Sequence, residues 1–153
     1  MSYKKLIVLA AVAGSLGLGA VTMAASPQQT ISERQANFKV IGKSFKAMLD
    51  EGRKPAPSIA VYRANADALA KAATKVSNHF PKGTGPEAGV KTAALPAIWQ
   101  KNAEFKGAAG KLVAASGKLN AAAKSGNLDA TKAAVMGLGP TCKGCHDPFK
   151  AKD

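Results

Sequence analysis

The residues of this chain with the types and spacing to do chemistry are Cys142-Lys143-Gly144-Cys145-His146. On a helix, Cys142 and Cys145 lie three positions apart and share a face. Two thiols so placed can form thioethers with the two vinyl groups of a haem. His146, four positions after Cys142, reaches the same side and can ligate iron. C-x-x-C-H is the attachment signature of c-type haem. Gly144 removes a side chain where the macrocycle must come close. The chain has 2 cysteines in all, and shuffling would bring both into this arrangement with a probability on the order of 10⁻⁴. Three other chemistries draw on the same residues. A zinc site needs four ligands, and only His79 or a carboxylate could complete it, with the adjacent Cys145 and His146 fitting tetrahedral geometry poorly. A thioredoxin-like dithiol belongs in a βαβ context. A structural Cys142–Cys145 disulfide would close too short a loop to stabilise much. Haem accounts for all three residues at once.

The chain around this motif has 153 residues, 46% of them hydrophobic and 5% aromatic. The length fits one domain, and wholesale disorder is excluded by the ordinary apolar and charged fractions. With few aromatics, the core must come from small and aliphatic side chains or from something bound. Met1 to Lys5 carries Lys4 and Lys5, and Leu6 to Ala25 is uncharged and ends in Val21-Thr22-Met23-Ala24-Ala25. That pattern is a secretory signal peptide, residues 1–25, cut after Ala24 or Ala25; a retained membrane anchor is the alternative, since the run is long enough to span. The haem-binding domain is then residues 26–153, exported, in a bacterium to the periplasm, and not membrane-embedded. The formal net charge is +13, yet Lys39, Lys43, Lys46, Lys71, Lys75, Lys101, Lys106, Lys111, Lys118, Lys124 and Lys132 are scattered at helical intervals rather than in a block. They read as a solvated face that attracts acidic partners, with no nucleic acid.

Ala and Lys dominate, and no β-branched alternation suggests a strand. Four helices are predicted. The first runs from about Ser32, a plausible cap, to Asp50, with Phe38, Ile41, Phe45 and Met48 or Leu49 at three- and four-residue steps. The second runs from Ser58 to Phe80 along the seam Ile59, Tyr62, Ala66, Leu69, Ala73, Val76 and Phe80. A loop over 81–95 follows, the longest connection and so the one to shape a site edge. The third helix starts at Pro96 and carries Ile98, Phe105, Leu112 and Leu119 one heptad apart. Its Gly107, Gly110 and Gly117 permit close approach of a neighbour or a flat ligand. The fourth starts near Asn127 or Asp129 and carries Leu128, Thr131, Val135, Leu138, Cys142, Cys145 and Phe149, with a kink or break expected before Cys142 at Gly137, Gly139 and Pro140. The expected fold is all-α, an antiparallel up-and-down four-helix bundle with covalently bound haem. His79 reads as a surface or capping histidine, Met48 and Met136 as packing residues, and Trp99 as core or a contact to the haem edge.

A C-terminal haem motif on the last of four helices, Arg34-Gln35-Ala36-Asn37-Phe38 in the first, and Pro96-Ala97-Ile98-Trp99 opening the third together resemble the cytochrome c′ family over the whole exported chain. The resemblance implies one covalent haem c per chain, held by Cys142 and Cys145, with His146 as the axial iron ligand. It implies Arg34 and Gln35 beside the haem propionates, Phe38 over the distal face and Lys150 on the proximal side. Low-spin relatives carry a methionine ligand where this chain has Phe38, which cannot bind iron, so the resemblance implies five-coordinate, high-spin iron. Pro140 and Pro148 depart from the pattern; Pro148 removes an amide that would bond the Gly144 carbonyl, and a distorted proximal helix is expected around Lys150. The family also implies a homodimer through the first two helices.

Two functions follow from this. One is binding of diatomic gases, NO or CO, at an open iron position restricted by Phe38. The other is electron transfer between periplasmic redox partners, steered by the basic surface toward an acidic partner. Catalysis is not expected, because no distal acid–base pair is evident. If haem supplies part of the core, the chain without haem melts broadly; a sharp calorimetric transition like that of the haem-loaded protein would show that it does not.

Overall fold

The computed structural model describes residues 25–152. Residues 1–24, nearly all of the leader read from the sequence, lie outside the described residues. Among the described residues, four long helices and one short one follow each other: α1 (Pro27–Gly52), α2 (Ile59–Ala73), α3 (Ala97–Gln100), α4 (Asn102–Ser125) and α5 (Leu128–Phe149). No strand occurs among the described residues; two 3₁₀ turns, Val76–His79 and Pro86–Ala88, punctuate the long connection. The long helices pack in chain order, α1 on α2, α2 on α4 and α4 on α5, in the up-and-down arrangement, whereas α1 and α5 touch only sparsely. No helix among the described residues is long and apolar enough to cross a membrane.

The expected seam forms the core. Ile41, Met48, Tyr62, Ala66, Leu69, Ile98, Phe105, Leu119, Val135, Leu138 and Phe149 are buried. The boundaries differ where local chemistry outweighs periodicity. Helix α1 starts at Pro27 because Ser26 caps it, its Oγ accepting from the Gln29 amide at 3.1 Å; Ser-Pro is a stronger start than Ser32, which lies exposed inside the helix. Helix α2 stops at Ala73. The Thr74 hydroxyl donates to the Lys71 carbonyl at 2.9 Å, and Pro81 disfavours helical geometry at Phe80. Val76 and Phe80 nevertheless reach the core. The third predicted helix is two: Lys101, at φ −115° and ψ 47°, separates α3 from α4. Trp99 on α3 donates its indole N–H to the carbonyls of Phe80 and Pro81 at 3.1 and 3.0 Å, which anchors that turn apart from α4.

The break expected before Cys142 does not occur. Helix α5 runs unbroken through Pro140 and Pro148 to Phe149, so each proline costs one hydrogen bond without ending the helix, which stays packed on α4. The α4 glycines do not mark a close protein contact either: a Cβ at Gly107, Gly110 or Gly117 would meet nothing within 4 Å. Met48 is fully buried, but Met136 is 68% exposed and is no packing residue.

At the end of the bundle away from the haem motif, buried Glu51 accepts from Lys54 Nζ at 2.7 Å and from the Ser58 amide at 2.8 Å, tying the α1–α2 turn to the start of α2. These two donors hold its carboxyl below the usual range. Beside it, a Cβ on Gly52 would come within 2.9 Å of the Tyr62 hydroxyl, so the buried Tyr62 ring must shift to admit it. Gly52→Ala should therefore lower stability by about 1–2 kcal/mol despite the better helix propensity of alanine, read as a lower midpoint in chemical denaturation.

Candidate haem site

The haem motif occupies the last two turns of α5. Successive residues on a helix are about 100° apart, so Leu138, Cys142, Cys145 and Phe149 share one side. Leu138 and Phe149 are buried there, and Cys145 packs against the core. Both cysteines are unpaired and half-buried. His146 falls on one flank of that side and is exposed. The same flank, further along α5, meets α1: Met48 and Leu49 enclose a pocket of about 380 Å³ with Lys132, Val135 and Met136. The opposite flank meets α4, where Thr141, Gly144, Cys145 and Pro148 line a groove of about 580 Å³ with Gly107, Ala108 and Lys111. The His146 flank thus belongs to the α1–α5 seam, which the helices leave loosely closed.

This donor set fits a haem. Two unpaired thiols face inward, an imidazole stands next to them on the flank of the loose seam, and a Cβ at Gly144 would meet nothing within 4 Å. It fits the alternatives less well. Among the described residues no three His, Cys, Asp or Glu side chains come together to hold a metal ion. Burial pushes both thiols above the ordinary cysteine range, Cys145 further through its neighbour Cys142, the reverse of a reactive dithiol.

Arg34 is placed differently from an exposed base. It is 2% exposed, and its guanidinium is bound to the 81–95 loop. Nη1 donates to the His79 carbonyl at 3.4 Å and to Thr84 Oγ1 at 3.3 Å; Nη2 donates to the Thr84 carbonyl at 2.9 Å and to Thr92 Oγ1 at 2.8 Å. It also lies 4.5 Å over the Phe80 ring. Burial lowers its pKa, with Glu87 opposing. Gln35 is exposed and donates to the Lys91 carbonyl at 2.9 Å. Phe38, one turn after Arg34, is half-buried and meets Phe80 edge-on at 6.3 Å. Phe80 continues to Trp99, half-buried, at 6.2 Å and to Phe105 at 4.8 Å; Phe105 meets Phe149 at 5.4 Å. An aromatic chain thus links the Phe38 turn of α1 to the end of the haem helix. Lys150, half-buried, caps α5 through its amide to the His146 carbonyl at 2.9 Å.

The sequence reading missed Thr84 and Thr92, the loop acceptors of Arg34. Their only sequence signal is their place in the longest connection. His79 is also not a surface residue: it is half-buried, and its Nδ1 is buried without a hydrogen-bond partner.

A four-helix bundle bearing C-x-x-C-H at the end of its last helix defines a bundle-type c-type cytochrome. The profile of the family described as Cytochrome C' matches residues 29–150, and the chain belongs to that family. It is 40% identical over 127 residues to cytochrome c' of Rubrivivax gelatinosus, covering 82% of this chain and 97% of that one. The crystal structure of cytochrome c' from Rubrivivax gelatinosus superposes with a TM-score of 0.75 at 37% identity, covering 84% of this chain and 99% of that one. A nitric oxide complex of a mutant of cytochrome c prime from Alcaligenes xylosoxidans superposes with a TM-score of 0.73 at 30% identity, covering 85% of this chain and 100% of that one. Proteins of this family are electron carriers and not enzymes, and membership implies a covalently bound haem c, for which Cys142 and Cys145 have the spacing.

Burial lowers the His79 pKa below 6.5, with Lys75 and Arg34 adding to the effect and Glu33 opposing it. The unfolded chain then takes up the proton first as pH falls. The contribution of His79 is fully present above pH 6.5 and lost as pH falls through the lower folded value. The urea midpoint of the protein should therefore drop more between neutral pH and pH 5 than that of His79→Gln.

Proposed function

We propose that this protein is a periplasmic cytochrome whose single haem c is bonded to Cys142 and Cys145, with His146 as the axial iron ligand and the sixth position open to NO or CO. The bound haem supplies one-electron redox chemistry and a gas-binding iron in a five-coordinate, high-spin state. The rest of the task falls to side chains of the chain. His146 fixes the iron from the α1 flank of α5. Phe38 offers no lone pair to the metal and restricts the distal face by its bulk, so that small, strongly bonding ligands are favoured. Arg34 and Gln35 form the polar edge on the propionate side, and Lys150 sits near the proximal pocket at the end of α5. Residues 1–25 direct export, residues 26–153 form the haem domain, and two copies pair through α1 and α2.

The observation that carries this reading is Phe38. It stands half-buried on the first helix, against Phe80, at the position where, by the family resemblance, low-spin relatives carry a ligating methionine. The nitric oxide complex of the Alcaligenes relative supports the choice of gas. Electron delivery to an acidic partner is the second reading. It is favoured by the formal charge of +13, of which +11 stays with residues 26–153 once Lys4 and Lys5 leave with the leader, and which raises encounter rates with negatively charged proteins.

Optical spectra of the ferric and ferrous protein, before and after NO or CO, test the assignment. High-spin bands that change on gas addition are expected; low-spin bands in both states, unmoved by gas, would make electron transfer the sole function. Phe38→Ala should speed CO capture by about tenfold or more if the ring is the barrier, since each factor of ten corresponds to about 1.4 kcal/mol; an unchanged rate would remove Phe38 from the gate.

A further inference from the structure

Helices α1 and α5 touch sparsely, yet the proposed iron site needs Phe38 on one and His146 on the other at a set separation. A segment of the 81–95 connection joins them. The Thr92 hydroxyl accepts from Arg34 Nη2 on α1 at 2.8 Å and from the Ala94 amide at 3.2 Å. The residues on either side of Ala94 then pair with the end of α5: the Leu95 amide donates to the Phe149 carbonyl at 3.0 Å, and the Ala151 amide to the Ala93 carbonyl at 2.8 Å. Ala94 itself forms an antiparallel bridge with Lys150. Residues 91–95 are thus a strap across the α1–α5 seam, with Gln35 holding its first residue. Its anchor on α1, Arg34, is one turn from Phe38. Its anchor on α5, around Lys150, is one turn from His146.

We propose that Thr92 is a positioning residue for the gas site: by locking the strap to Arg34, it sets the spacing between α1 and α5 and so the access left between them. The inference rests on the reading of Phe38 and His146 given above. Thr92 touches neither iron nor gas; it acts through the strap. A buried guanidinium favours this role, because losing an acceptor leaves a buried donor unmet and shifts the strap toward open states.

The test uses the haem-loaded protein and CO. Thr92→Val and Thr92→Ala should raise the ferrous CO capture rate by about tenfold, the factor that one charge-assisted hydrogen bond supplies. They should also speed hydrogen exchange at the Leu95 and Ala151 amides ahead of the rest of α5. Thr92→Ser should restore both. Gly52→Ala, about 27 Å along α1 from Arg34, controls for general loosening and should leave the CO rate unchanged. Faster exchange at Leu95 and Ala151 with an unchanged CO rate would overturn the proposal, as would unchanged exchange, or acceleration by Gly52→Ala equal to that by Thr92→Val. Phe38→Ala separates this outcome from the reading beneath it: if that variant leaves capture unchanged while Thr92→Val speeds it, Phe38 is not the barrier and the strap still sets the access.

Discussion

A guanidinium taken out of water must find acceptors or it destabilises the fold. Arg34 meets that condition with two carbonyls and two threonine hydroxyls, all from residues 45 to 58 positions further along the chain. The consequence reaches beyond Arg34. The connection between α2 and α4 is long and rich in glycine and proline, and little in its composition would order it. Bonded to Arg34 on one side and to the main chain at Phe149 and Ala151 on the other, it becomes the piece that joins the first helix to the last. Phe80, under the guanidinium, brings the aromatic chain to the same place.

The two ends of the bundle are built on different principles. At the far end, helices α1 and α2 are joined by a short turn in which Glu51 satisfies Lys54 and the Ser58 amide, and Tyr62 fills the space beneath Gly52. The links there are local in sequence, and a pocket between α1 and α5 opens beside them. At the end that carries the haem motif, α1 and α5 are joined by a strap of the long connection. A rigid planar group bonded through Cys142 and Cys145 would have to be admitted between the sparsely packed α1 and α5. A seam closed by side chains would have to be reopened to admit it.

The surface follows a third logic. Lys46 with Asp50, Lys71 with Asp67, and Lys143 with Asp147 form helical pairs at i,i+4. These pairs are largely exposed and contribute little to stability. The excess of basic over acidic residues acts at longer range and would raise the encounter rate with any negatively charged partner. Fold and charge are thus largely separate properties of this protein.

Much of the candidate site was read from the sequence because its signals are local. Cys142, Cys145 and His146 are defined by spacing on one helix, and the three-four steps of Tyr62, Leu69, Phe105, Leu119, Val135 and Leu138 place the core without any knowledge of what they touch. Family resemblance added Arg34 and Phe38. What the tertiary structure alone decided is long-range or depends on a balance of contacts. Lys101 carries no breaker residue, yet the helix divides there because Trp99 is bonded to Phe80 and Pro81. Helix α5 holds through two prolines because it stays packed on α4. Met136 is exposed because it falls off the three-four step, on the side of α5 turned away from Leu138 and the core. Thr84 and Thr92 are two ordinary loop residues until a cation fifty or more positions earlier is buried beside them. A periodic pattern reports which face of a helix is turned inward; it carries no record of which distant hydroxyl will meet a buried charge, because that partner is chosen by the path of the chain in space.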